Sequence, residues 1–330
     1  MKLVSVLMPA YNAEKYIAQA IESILGQTFD DFELIIINDC SKDRTEEIIL
    51  SYDDPRIVYL KNEQNLGVAK TLNKGLAAVK GEFIARMDSD DISLPDRLEK
   101  QVAFLQDNKD VAVLGTNVET FNEEGTICTG WSATDPEQMK VDLLFACGLA
   151  HPSVMMRTEV IRNLGGYDPE FNGLEDYELW CRVLEKHQIT TLPDILLKYR
   201  IHGSQVTQNP SARYLELLRT LKIRQVRQLG VEEDIPKQFF RSCQGDKLKA
   251  AEEIAELDAF FALLDTANAK SHFYDNEKLR ASFRSVILGA VATLPKSKQK
   301  ELASKCHYIN KRDLLVRQFK QSIKKMLGRN

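Results

Sequence analysis

The sequence has no Cys-x-x-Cys pair, no phosphate-loop signature and no apolar run long enough to span a membrane. Each absence closes a class of function. Six scattered cysteines (Cys40, Cys128, Cys147, Cys181, Cys243 and Cys306) in 330 residues read as reduced thiols and argue against a structural zinc site. The first strand-like run is not followed by Gly-x-Gly-x-x-Gly, which argues against a Rossmann dinucleotide site. Gly-x-x-x-x-Gly-Lys-Ser/Thr does not occur, which excludes a P-loop. A net charge of only -4 does not suggest a nucleic-acid partner. The N-terminus enters a strand-like run at once and lacks the features of a signal peptide. A cytoplasmic protein is expected.

What is present is a regular alternation of two periodicities. Short β-branched runs at 4–8, 34–37, 57–60 and 83–87 alternate with helical patterns at 16–25, 45–52 and 68–79. Strands alternating with helices predict an α/β domain, and continuously apolar strands predict a mostly parallel sheet covered on both faces. From residue 111 the alternation loosens, with strands at 111–116, 153–157 and 198–202 and a helix at 178–187. Beyond Pro210 the texture becomes Lys-, Glu-, Gln-, Leu- and Ala-rich. These patterns predict a domain at 1–210 and a helical appendage at 211–330.

Open α/β sheets bind ligands beyond the carboxyl ends of their strands. Three such ends carry unusual polar residues here. Pro9-Ala10-Tyr11-Asn12 follows the first strand, Asn38-Asp39-Cys40-Ser41 the second, and Asp88-Ser89-Asp90-Asp91 the fourth. Like charges this close need a reason. Helix capping by Ser93 or Asp96 accounts for part of the acidity. The alternative is a divalent cation, since Mg2+ and Mn2+ prefer hard oxygen ligands and neutralise a departing diphosphate. Tyr11 offers an aromatic face to a nucleobase, and Asp39 an acceptor for a ring N–H. A second acid pair, Glu175-Asp176, follows Gly173 at the mouth of a helix. It is either a general base with its neighbour or a pair favoured by the helix dipole. His151 and His202 adjoin strand-like runs, and Lys70 is a candidate phosphate contact.

The stretches "VSVLMPAYNAEKYIAQAIESILGQTFDDFELIIINDCSKDRT", "NLGVAKTLNKGLAAVKGEFIARMDSDD" and "GLEDYELWCRVLEKH" together resemble a family 2 glycosyltransferase of the GT-A fold over about residues 1–205. The resemblance implies inverting sugar transfer from a nucleotide-sugar, usually with Mn2+ or Mg2+. It implies that Ala10 and Tyr11 flank the base, with Pro9 and Asn12 beside them, and that Asp39 accepts the ring N–H. Asp88, Ser89 and Asp90 would face the donor, Asp90 and Asp91 the metal–diphosphate, and Asp176 would be the base, with Glu175 orienting it or the acceptor. His202 would complete the metal shell. Where the family often has Asp-Asp-Gly-Ser, this chain has Asn38-Asp39-Cys40-Ser41, which leaves the backbone path of that loop open.

The expected donor is a UDP-sugar and the expected acceptor a saccharide or lipid-linked saccharide in cell-surface glycan synthesis. A basic amphipathic pattern over 311–330 fits either peripheral contact with an anionic membrane at its inner face or a helix packed on the domain. The alternatives are a nucleotidyltransferase, for which the first loop lacks glycines and basic residues, and a catalytically silent sugar-nucleotide-binding subunit. A glycosidase also uses paired carboxylates, but needs neither a nucleobase shelf nor a metal cluster.

Overall fold

The computed structural model describes residues 2–130, 133–202, 211–310 and 312–314. The chain folds as two compact units, Met1–Lys140 with Cys147–Leu218 and Val141–Ala146 with Arg219–Asn330. The short segment 141–146 thus joins the helical unit, although it lies far ahead of the boundary that composition suggested.

The first unit is built on one sheet. Its strands are β1 (Val4–Ala10), β2 (Phe32–Asn38), β3 (Ile57–Lys61), β4 (Phe83–Arg86), β5 (Ile92–Ser93), β6 (Val111–Asn122), β7 (Gly125–Gly130), β8 (Met155–Arg157) and β9 (Gln188–Arg200). They lie in the order β3-β2-β1-β4-β8-β6-β9-β5, with β7 paired to β6. The pairs β3-β2, β2-β1, β1-β4 and β6-β9 are parallel, while β8 runs antiparallel to both β4 and β6. The helices are α1 (Ile17–Leu25), α2 (Thr45–Leu50), α3 (Val68–Ala78), α4 (Arg97–Asp107), α5 (Pro136–Phe145), α6 (Thr158–Asn163), α7 (Glu175–Val183) and the start of α8 (Ala212–Arg227). The expected mixed α/β fold with a mostly parallel sheet is present.

The helices cover the sheet because their apolar positions recur at helical spacing. Ile17, Ala20, Ile21 and Ile24 form the buried face of α1. On α3, Gly75 permits close approach to the sheet, since a Cβ there would lie 2.8 Å from Ile37 Cδ1. Among the expectations that change are two boundaries and one cap. The strand expected at 198–202 begins at Gln188 and passes through Pro193 and Asp194. Those residues are looped out between the pairs Thr116–Leu192 and Asn117–Ile195, so a bulge, rather than a strand end, accommodates the proline. The helix expected at 178–187 begins at Glu175, which puts both acids into its first turn. Finally, no side chain caps α4, as Asp96 pairs with Lys100 at 2.9 Å and the Ser93 hydroxyl accepts from Gln27.

The second unit adds the rest of α8, then α9 (Lys237–Cys243), α10 (Ala251–Ser271), α11 (Asn276–Val291) and α12 (Lys296–Leu302). Its core includes Phe239, Phe261 and Phe283, the last two stacked at 4.2 Å. Lys222 is buried in this unit and donates to the carbonyl of Leu144 near the end of α5 at 2.6 Å. That charge suits the negative end of a helix. Most of the basic pattern over 311–330 lies outside the described residues.

Cys40, where the family often has glycine, takes the left-handed conformation at φ 61°. A side chain there costs about 1–2 kcal/mol, and a β-branched one more. Cys40→Val should therefore lower stability by about 1–2 kcal/mol, whereas Cys40→Gly should stay within about 1 kcal/mol of the parent. Urea unfolding checks this, and equal losses in both variants would refute the strain.

Candidate active site

Parallel pairing brings the ends of β1 and β2 level, with Ala10 opposite Asn38 and the Asp39 amide donating to the Ala10 carbonyl at 2.8 Å. Pro9 and Ala10 belong to the strand, and the next residue, Tyr11, is 49% exposed. An aromatic ring in the open at a strand end is free to stack. Asn12 instead braces the loop: its side-chain oxygen accepts from the Lys42 amide and its own amide donates to the Ser41 hydroxyl. Asp39 is 4% exposed and already engaged. Its Oδ1 accepts from Asn62 Nδ2 (2.7 Å) and the Leu66 amide (2.8 Å), and Oδ2 from the Gly67 amide (3.0 Å). The carboxylate expected to meet a ring N–H therefore also holds the loop that opens α3. Lys70 is exposed on the first turn of that helix.

Beyond β4 the chain turns sharply, and Asp88, Asp90 and Asp91 each bring a carboxylate oxygen within 4.8 Å of the others. At that range, like charges repel by roughly 3–4 kcal/mol per pair at an effective dielectric near 20. Each acid is held by a cation or donor. Asp88 forms an ion pair with the buried Arg86. Asp90 meets His202 Nε2 at 2.8 Å, and the His202 ring stacks on Tyr16. Asp91, 1% exposed, accepts the Arg200 amide on Oδ1 at 2.8 Å, and its Oδ2 is buried with no hydrogen-bond partner. Burial, then Asp88 and Asp90, push the Asp91 carboxyl well above its ordinary value, and burial also raises Asp88. Ser89 is half-buried between these acids.

These residues fit a small hard cation. Three carboxylates converge, and one buried oxygen lacks a partner, which a Mg2+ or Mn2+ ion would supply. His202, expected as a metal ligand, reaches the cluster through Asp90, with its Nε2 turned to that carboxylate.

Sequence reasoning missed the arginines that assemble the knot. Arg200 donates its amide to Asp91, its Nε to the Asp90 carbonyl (2.7 Å) and an Nη2 proton to Gln19 (2.6 Å). Its guanidinium lies 4.4 Å from the ring centres of both Tyr16 and Phe121. Arg86 ends the apolar strand Phe-Ile-Ala-Arg. A lone charge closing a buried strand was the available signal.

The second acid pair opens α7. Gly173, at φ 94°, turns the chain into the helix, and its amide donates to Glu175 Oε2 at 2.6 Å. Burial first, and then the Asp176 charge, push the Glu175 carboxyl up to about 7. Asp176 is half-buried and accepts the Tyr177 amide at 2.7 Å. Burial raises its pKa, while that hydrogen bond and Arg86 act the other way. The pair is tied to the Asp39 loop, since Asn172 Oδ1 accepts the Ala69 amide at 3.3 Å and lies against Gly67, the residue held by Asp39. The next acid, Glu178, is spent on Arg182, from which it accepts at 2.6–2.9 Å. His151 is a core residue: buried, bonded to the Tyr167 hydroxyl at 3.0 Å, and pushed well below its ordinary pKa by burial and Arg86.

Residues 5–165 match the model of glycosyl transferase family 2. A relative from Escherichia coli, the O-antigen biosynthesis glycosyltransferase WbnJ, is 36% identical over 219 residues, 64% of this chain and 85% of its own length. The chain belongs to the family 2 glycosyltransferases. Another E. coli relative of this glycosyltransferase, the UDP-Glc:alpha-D-GlcNAc-diphosphoundecaprenol beta-1,3-glucosyltransferase WfgD, is 33% identical over 63% of this chain and 80% of its own length. Among solved structures, Staphylococcus aureus TarS 1-349 in complex with UDP aligns with a TM-score of 0.56. It is 22% identical and the alignment covers 92% of this chain and 86% of that one. The mannosyltransferase PcManGT from Pyrobaculum calidifontis, in complex with GDP-Man and Mn2+, aligns at 0.54 with 16% identity over 88% and 86% of the two chains. Both likenesses concern the fold.

The position of Glu175 sets a stability test. Its folded carboxyl stays protonated to about pH 7, whereas the unfolded one ionises near 4.5. The unfolded chain therefore binds fewer protons between those values, and this residue's contribution falls as pH rises through that window. Glu175→Gln should melt close to the parent at pH 4.5 and above it at pH 8. A melting difference that does not change with pH would refute the shift.

Proposed function

We propose that this glycosyltransferase moves a sugar, with inversion, from a UDP-sugar to a saccharide or lipid-linked saccharide acceptor in cell-surface glycan synthesis, and that it depends on Mn2+ or Mg2+. The observation that carries the reading is the buried, unpartnered Asp91 oxygen within a three-carboxylate cluster, electrostatically in reach of the acid pair on α7. Tyr11 would stack on the base, and Asp39, with one lone pair of Oδ2 still open, would accept its ring N–H. Asp90 and Asp91 would hold the cation, with His202 fixing Asp90. When bound, such an ion neutralises charge on the departing diphosphate.

The protein groups then do the rest. Asp176 takes the proton of the acceptor hydroxyl as its oxygen attacks the anomeric carbon. The new C–O bond forms on the face opposite the diphosphate as the old one breaks, which inverts the centre. Glu175, held by the Gly173 amide, stays neutral up to about pH 7 and can donate a hydrogen bond to acceptor or base. The E. coli relatives, one an O-antigen biosynthesis glycosyltransferase and one with a UDP-Glc donor and a diphosphoundecaprenol acceptor, support the donor and acceptor classes. A lipid-linked acceptor would favour work at the inner face of a membrane. Among the described residues no helix is long and apolar enough to cross one.

Two substitutions separate binding from chemistry. Asp91→Ala should abolish Mn2+-dependent UDP binding, measured by calorimetry. Asp176→Asn should keep that binding and lower turnover about a hundredfold or more. Turnover that survives EDTA would exclude the metal role, and a product retaining the donor's anomeric configuration by NMR would exclude inversion.

A further inference from the structure

Asn62, the residue after β3, is 1% exposed and spends its side chain on Asp39. Its backbone N–H donates to the Asn38 carbonyl at 2.9 Å, which sets it beside the end of β2. The side-chain Nδ2 carries two protons, and both are used. One reaches Asp39 Oδ1 at 2.7 Å and the other Thr71 Oγ1 on α3 at 3.0 Å. Two acceptors on that side fix which end of the amide faces Asp39. The cost falls on the other end, because Asn62 Oδ1 is buried with no hydrogen-bond partner among the described residues. A buried acceptor without a donor destabilises the fold, and an apolar side chain of this size would avoid that. What offsets the cost is the hold that Nδ2 exerts.

A carboxylate offers about four lone pairs, two on each oxygen. On Asp39, Oδ1 takes the Asn62 amide and the Leu66 N–H, so both of its places are filled. Oδ2 takes the Gly67 N–H, which leaves one place open. Two of these three donors are backbone groups of the loop that opens α3, and among the described residues Asn62 is the side chain that donates to this carboxylate. Without it a second place opens on Oδ1, and the carboxylate can turn or take up water there. An anionic acceptor with a single open place suits one ring N–H. Uracil presents such an N–H at its pairing edge. Cytosine presents a bare ring nitrogen at the same position, whose lone pair would face that of Asp39. A site built to hydrogen-bond an N–H discriminates strongly against the analogue that lacks it.

We propose, resting on the assignment of Asp39 as the acceptor of the base N–H, that Asn62 is a positioning residue that fills Asp39 Oδ1 and leaves Oδ2 as the one acceptor presented to the donor. It thereby makes the site select uracil over cytosine nucleotides. Asn62 acts through Asp39, and the donor does not touch it.

The test is calorimetric titration of the full chain, in Mn2+, with UDP and with CDP, for the parent, N62A, T71V and D39N. The parent should bind UDP about tenfold or more tightly than CDP. N62A should weaken UDP about tenfold and CDP less than about threefold, so that the preference nearly disappears. T71V keeps the side-chain shape but removes the hydroxyl that orients the amide, and should narrow the preference about threefold. The ratio of the two affinities is the decisive readout, because a residue that merely supports the fold would weaken both nucleotides alike. Equal losses for UDP and CDP in N62A, or an unchanged ratio, overturn the proposal. If N62A does not fold, T71V decides by the same criteria. D39N separates this idea from its foundation. Parental UDP affinity and preference in D39N would sink the assignment of Asp39, whatever N62A does. A D39N chain without the preference, beside an N62A chain weakened equally for both nucleotides, would sink only the role of Asn62.

Discussion

Crowding of negative charge at the carboxyl edge of one sheet is the constraint around which the first unit is arranged. Asp88, Asp90 and Asp91 converge within 4.8 Å, and Glu175 and Asp176 stand close enough to feel the charge of Arg86. Three carboxylates this close are not stable together without positive charge, donated protons or a metal. The structure supplies part of the answer through Arg86, the Arg200 amide, His202 and the Tyr177 and Gly173 amides. It leaves the buried Asp91 oxygen unanswered. That residual demand sets the cluster apart from a solvated loop.

The scaffold serves this edge by joining distant segments across it. Arg200 arrives from the last strand and holds the backbone and side chains of the knot more than a hundred residues earlier in sequence. Its guanidinium is clamped between Tyr16 and Phe121, which turns an otherwise flexible side chain into a rigid brace. A second path of packing runs from Asp39 to Gly67, from Gly67 to Asn172, and on through Gly173 to Glu175. Ordering the loop held by Asp39 and ordering the acid pair are therefore parts of one packing problem. A substitution at Gly67 would meet Asn172 at 2.8 Å and disturb both.

The strands, the helices and the convergence of polar strand ends were legible because periodicity and the carboxyl-edge rule are local and topological properties. Tyr11 and the acidic knot stand out in the sequence for the same reason. Asp39 was only half legible: its placement follows from the strand, but its engagement with Asn62, Leu66 and Gly67 depends on how a later loop folds back. Asn12 also braces the loop, through partners Ser41 and Lys42 that come from the neighbouring strand's loop and that no local pattern announces.

By itself the sequence determined the alternation of elements, the polar residues at three strand ends and the motifs of a family 2 glycosyltransferase, all carried by residue type and spacing. Tertiary structure alone decided which charges answer which. Arg86 and Arg200 sit in ordinary strand contexts, and the bulge at Pro193 that carries β9 onward to the knot is invisible until β6 lies beside it. Ionisation in a buried cluster depends on distance and desolvation between segments far apart in the chain, and no local pattern encodes either.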